Sequence, residues 1–122
     1  MKYLCMVIVD ENKLQVMSES EAQGLDDESL EHDDALRKRG HLLAAQALES
    51  VSSATTVRIR SGKVSITDGP FAETNEQIGG FLLIEAKDLN EAIQIASRIP
   101  AIRLGAVEVR PVKELSHSGV RR

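Results

Sequence analysis

The chain has 122 residues, 42% of them hydrophobic, with a net charge of −4 and a pI near 5.4. That length fits a single domain, and the acidic balance argues against a phosphate-backbone partner, which needs a basic stripe. Three aromatics, Tyr3, Phe71 and Phe81, cannot build a stacking surface for single-stranded nucleic acid, and one cysteine, Cys5, excludes an internal disulfide and fits a reducing compartment.

Residues 3–9 are apolar and read as a central strand buried on both faces. The run is too short to span a membrane and has no small-residue cleavage site. The expected location is therefore the cytoplasm, with no membrane partner. Residues 10–24 read as polar loop or short helix. Over 26–39 the pattern is helical, with Asp26, Asp27 and Glu28 in the first turn and Arg37, Lys38 and Arg39 in the last, as the helix dipole favours. Gly40 supplies the stop. Asp33–Arg37 and Asp34–Lys38 are spaced i,i+4 in the acid-first order.

Residues 42–48 are predicted as strand. Residues 55–60 and 63–67 alternate with period two around Ser61-Gly62, a hairpin turn signal. The hairpin is expected to place Val57, Ile59, Val64 and Ile66 on a covered face and Arg58 and Arg60 outward. Residues 80–86 read as another buried strand. Asp88 then caps a helix to residue 99, with Glu91 completing a capping-box-like pair. Leu89, Ala92, Ile93, Ala96 and Ile99 form its expected apolar stripe, and Pro100 ends it. From 106 to 112, Val107 and Val109 share one face and Glu108 and Arg110 the other. The expected organisation is one domain over 1–112 and a polar tail over 113–122.

The order β-α-β, hairpin, β-α-β predicts an α+β fold, a ferredoxin-like split βαβ sandwich with an inserted hairpin. Helices would cover one sheet face only. The other, apolar face calls for a homodimer that buries sheet against sheet.

Two places carry chemistry-bearing residues. Asp68-Gly69-Pro70 opens a long, rigid loop in which Phe71, Glu73, Thr74 and Glu76 follow. Asp68 either holds the turn through its carboxylate or presents that carboxylate at a pocket mouth as base or ligand anchor. His32 shares a narrow helix face with Leu25, Ser29 and Leu36. It is either a satisfied core histidine or an imidazole lining a helix–sheet pocket, open to tuning by a carboxylate. Glu73 and Glu76 are either solvated loop charges or site residues, and Glu108 and Arg110 either an exposed pair or a pocket edge. His41 and His117 look incidental. A zinc cluster, a phosphate-cradling glycine loop and a Gly-x-Ser-x-Gly elbow are all missing, so neither metal nor organic cofactor is expected.

The string Asp68-Gly69-Pro70-Phe71-Ala72-Glu73-Thr74, with the strand after it and the ending Val107-Glu108-Val109-Arg110-Pro111-Val112, resembles the DGPF branch of the YCII-related domain family over nearly the whole chain. The resemblance implies the same fold and a dimeric α+β barrel. It implies a His–Asp pair with its histidine near the start of the first helix, where His32 is the counterpart; pairing His32 with Asp68 is our own expectation. Phe71, Glu73, Thr74 and Arg110 are expected ligand contacts. Asn75 stands where that branch carries lysine, which weakens the case for an anionic ligand. The expected function is small-molecule binding near the 68–73 loop, without an assigned activity. A cofactor-independent enzyme moving protons with a His–carboxylate pair is the first alternative. A cytoplasmic accessory linked to sigma-factor regulation is the second, since DGPF-type proteins are often found alongside extracytoplasmic-function sigma factors.

Overall fold

The computed structural model of the chain describes residues 1–118 and the backbone of 120–121. In chain order its elements are β1 (Lys2–Asp10), α1 (Glu11–Gln15), α2 (Glu19–Lys38), β2 (Leu42–Ala47), β3 (Thr55–Arg60), β4 (Lys63–Asp68), β5 (Glu76–Glu85), α3 (Leu89–Ala96), β6 (Gly105–Pro111), β7 (Ser116–His117) and β8 (Val120–Arg121). Short 3₁₀ turns occupy Val51–Ser53 and Pro100–Leu104. Four strands form an antiparallel sheet of order β2-β5-β1-β6, consistent with a ferredoxin-like sandwich. No helix among the described residues is long and apolar enough to cross a membrane.

Alternation along β1 sets the layers. Tyr3, Cys5, Val7 and Val9 are buried, while Leu4, Met6 and Ile8 are only half-buried. The buried set packs with Leu36 of α2 and with Ala92, Ile95 and Ala96 of α3 in one core. The second face of β1 was expected to be buried too. Instead Leu4, Met6 and Ile8 pair across the sheet with Leu83, Phe81 and Ile78 on a face that no helix covers. β6 approaches β1 closely because Gly105 has no side chain: a Cβ there would overlap the Ile8 carbonyl.

The largest departure from the sequence reading is α2, which begins at Glu19 instead of residue 26. Ser18 starts it with a capping box. Its Oγ accepts from the Glu21 backbone N–H, and Glu21 Oε1 accepts from the Ser18 N–H, each at 3.1 Å. These bonds hold the Glu21 carboxyl below its ordinary range. Asp34 pairs with Lys38 at 3.0 Å as expected, whereas Asp33 turns to His32 and makes no ion pair with Arg37.

β3 and β4 form the expected hairpin, with Val57 opposite Ile66 and Ile59 opposite Val64. Its turn has positive φ at both Ser61 (50°) and Gly62 (75°), as a tight primed turn requires. The expectation of a covered face is overturned: these four side chains are 61–68% exposed, because the hairpin forms its own two-stranded ladder beyond the main sheet.

Asp88 caps α3 by accepting from the Glu91 N–H at 2.9 Å. The helix ends at Ala96, and its buried stripe is Ala92, Ile95 and Ala96, with Ile99 buried just beyond; Leu89 and Ile93, expected inside, are each 49% exposed. Ile95 takes the buried place expected for Leu89 and Ile93. In the tail expected over 113–122, β7 pairs with β8, and residues 119 and 122 lie outside the described residues.

Two outcomes follow. Ser18→Ala should remove about 1 kcal/mol of stability, read as a lower thermal midpoint by circular dichroism with an unchanged native spectrum. Burial pushes the Cys5 thiol up to about 11, so a thiol reagent at neutral pH should modify it only after denaturant is added.

Candidate functional site

The sheet's core face is filled by large side chains at one end and by small ones at the other. β2 contributes Ala45 and Ala47 there, β5 contributes Gly79 and Gly80, and the turn after α3 contributes Ala101. The missing side-chain volume leaves a cavity of about 900 Å³ between the sheet and α2. Its floor is Val7, Val9 and Leu82, all buried. The two glycines are constrained by their surroundings: a Cβ on Gly79 would lie 2.8 Å from Val9 Cγ2, and one on Gly80 2.8 Å from the Gln46 carbonyl oxygen.

α2 supplies the opposite wall with Leu25, Asp26, Ser29, Leu30 and Asp33, which fall on one side of the helix at about 100° per residue. Glu11 and Leu14 of α1 close one end, and Ser50–Ser52 of the 3₁₀ turn another. The cavity therefore joins an apolar floor to carboxylates and hydroxyls, the composition that holds and orients a small molecule. Among the described residues no cluster of three or more His, Cys, Asp or Glu could hold a metal ion.

A bidentate ion pair secures this wall from outside. Arg103 Nη1 and Nη2 donate to Glu28 Oε2 and Oε1 at 3.0 and 3.2 Å, tying α2 to the turn that carries Ala101 and Leu104. The guanidinium holds the Glu28 carboxyl below its ordinary value. Both side chains are half-exposed, so water screens the pair and its value is mainly positional.

The residues singled out in the sequence do not gather in this cavity. His32 is 17% exposed and turned inward on α2, but it is Asp33 that reaches the cavity wall. His32 Nδ1 is buried without a hydrogen-bond partner and lies 3.6 Å from Asp33 Oδ1, so the carboxylate beside the imidazole is Asp33 and not Asp68. Asp68 ends β4 exposed, and its carboxylate makes no hydrogen bond among the described residues. Phe71 is 79% exposed beneath the Arg58 guanidinium, 5.0 Å from its ring centroid. Glu73 is exposed, and Thr74 Oγ1 donates to the Glu76 carbonyl at 2.8 Å. Arg110 pairs with Glu108 at 2.6 Å on the uncovered sheet face, across the sheet from His32. One protomer does not unite these residues in a pocket.

The motif loop instead braces the cavity. The Gly69 N–H donates to the Ala54 carbonyl at 2.7 Å, next to the 3₁₀ turn, and the Glu11 N–H donates to the Asn75 carbonyl at 2.8 Å. Gly69 sits at φ 117°, on the positive side that its lack of a side chain permits. Gln77 Nε2 organises the loop's interior by donating to the carbonyls of Ala72 and Thr74 at 2.6 and 3.0 Å.

Asp26, Ser29 and Asp33, with Glu11 and the 3₁₀-turn serines, were not singled out from sequence. The usable signal was the i, i+3, i+7 spacing of the α2 trio beside Leu25 and Leu30, opposite strands rich in alanine and glycine.

Fold and cavity define a small α+β domain with a pocket of ligand size between its sheet and its long helix. The chain belongs to the YCII-related domain family, whose model matches residues 1–116. An uncharacterized protein of Rhizobium meliloti (strain 1021) is 39% identical over 75 residues, an alignment spanning 60% of each chain. Among solved structures the chain is similar to a 5-chloro-2-hydroxyhydroquinone dehydrochlorinase from Burkholderia phenoliruptrix AC1100, in complex with 2,5-dihydroxybenzoquinone. The TM-score is 0.54 at 17% identity, covering 93% of this chain and 94% of the other. At that identity the likeness is one of fold.

Replacing Arg103 with Gln should let the Glu28 carboxyl titrate back up toward its ordinary 4.5, followed by side-chain carboxyl NMR. In the native protein the pair contributes above that value, and its contribution is lost as pH falls through the depressed folded value. The variant should lack this acid-side loss.

Proposed function

We propose that this YCII-related domain binds a small, ring-sized molecule in the cavity between α2 and the sheet. The observation that carries the reading is a cavity of about 900 Å³ whose floor is buried and apolar while Ser29, Asp26 and Asp33 face it from the helix. A scaffold of similar fold holding 2,5-dihydroxybenzoquinone lends support, since the architecture accommodates a molecule of this size. The motif loop belongs to this site as a brace, tied to the cavity's ends through Ala54 and Glu11.

A second reading, proton transfer without a cofactor, is favoured by one specific observation. His32 Nδ1 has no partner and stands 3.6 Å from Asp33 Oδ1, and the Asp33 carboxylate borders the cavity. Asp33 would take or give the substrate proton, and His32 behind it would be a positioning residue.

We further propose a homodimer through the uncovered sheet face. Leu4, Met6, Ile8, Phe81 and Leu83 line that face half-buried, and the separate hairpin exposes Val57, Ile59, Val64 and Ile66 as well. A patch of this extent on a small domain is characteristic of an interface. Light scattering across micromolar concentrations should give about twice 13.3 kDa, and a persistent monomer would count against the dimer.

Ala45→Phe tests the binding site. It places a ring in the cavity from the core face of β2, so it should abolish binding of ring-sized fragments with little change in melting temperature. In the unmodified protein the same fragments should shift amide signals of Leu25, Ser29, Ala45 and Leu82. Shifts confined to residues 68–75 or to Arg110 would move the site elsewhere.

A further inference from the structure

The ionisable residues around the cavity all carry one sign. Glu11, Asp26, Asp33 and Glu49 border it, and among the described residues no Lys, Arg or His lines it. The arrangement on α2 sharpens this. Glu28 and Asp34 turn away from the cavity and find Arg103 and Lys38. Asp26 and Asp33 face it; among the described residues no lysine or arginine pairs with either, and the basic group beside Asp33 is the His32 imidazole, its Nδ1 3.6 Å from Asp33 Oδ1. Asp33 is only 21% exposed, so its carboxylate sits beside buried aliphatic carbon with little water to screen it. A half-buried carboxylate with no permanently charged partner is costly, and a ligand that brings a fixed positive charge gains a charge-assisted hydrogen bond there; the His32 imidazole at 3.6 Å is too long for a hydrogen bond. An anion entering the same space would meet only repulsion from these groups.

We infer that the cavity selects a small organic cation, an amine carried on an apolar ring or chain. The apolar body packs on Val7, Val9 and Leu82, while the ammonium donates to Asp33 and to the Ser29 hydroxyl one turn away, with Asp26 a further turn along the same wall adding its charge. This inference rests on the cavity being the binding site, and the experiment separates the two claims.

Calorimetry on the full chain at low ionic strength would compare three probes with one phenyl body: 2-phenylethylamine as cation, 2-phenylethanol as neutral analogue and 3-phenylpropanoate as anion. The amine should bind about tenfold more tightly than the alcohol, a difference of one charge-assisted contact, and the anion should not bind detectably. In Asp26→Asn/Asp33→Asn the amine should fall to the level of the alcohol, whose own affinity stays within about twofold because no charge of its own is lost. Circular dichroism melting checks that this variant, altered at one exposed and one half-buried helix position, remains folded. Single Asp33→Asn repeats the comparison with the smaller change. Equal binding of amine and alcohol by the unmodified protein, or tight binding of the anion, overturns the cation class while leaving the cavity as the site. Amine binding that survives Ala45→Phe overturns both, since the amine then sits on exposed acids outside the cavity. Absence of binding by all three probes overturns the cation inference and leaves the cavity reading to the fragment experiment above.

Discussion

β1 is hydrogen-bonded along both edges, to β5 on one side and β6 on the other, and its alternation places nearly everything else. Once Tyr3, Cys5, Val7 and Val9 face the helices, the two-residue period of the strand commits Leu4, Met6 and Ile8 to the opposite face. The two longer helices, α2 and α3, both pack on the first side. The apolar second side is thus a direct consequence of pairing geometry. The same register brings Gly105 against the Ile8 backbone and Gly80 against Gln46, contacts that any side chain would break.

The cavity has the opposite origin. It exists where packing was left incomplete, because Ala45, Ala47, Gly79, Gly80 and Ala101 do not reach the volume that α2 spans. Core voids of this size in a small domain would normally be filled or collapse. Here collapse is resisted from several sides, by the Glu28–Arg103 pair at the far turn and by the backbone bonds of the motif loop at the near end. Polar side chains on α2 then face apolar carbon across a gap, which is an arrangement suited to a guest and poorly suited to folding alone.

Local signals in the sequence were read where they were strong. The alternation of 55–60 and 63–67 named the hairpin, Asp88 with Glu91 named the start of α3, and Val107 and Val109 named the inner face of β6. The start of α2 was missed because Ser18 and Glu21 are embedded in a polar run without apolar periodicity, so only the capping pair marked it. The exposure of Val57, Ile59, Val64 and Ile66 was not legible, since alternation says that residues share a face and not that anything covers it. That the motif residues do not line the cavity was not legible for a related reason. Asp68, Phe71 and Glu73 stand out as a string, but which side chains converge depends on where the loop's ends are fastened. His32 was correctly placed on the inward face of its helix. Its neighbour Asp33, one residue further on, is the one that borders the cavity.

The bond from position 75 to α1 uses a main-chain carbonyl, not a side chain. Every amino acid has that carbonyl, so the strut that anchors α1 at the cavity's end is indifferent to what residue 75 is. Asparagine holds Glu11 in place as well as lysine would. The side chain at this position is released from structural duty, and substitutions there can change the electrostatic surroundings of the loop while the scaffold beneath stays as it is.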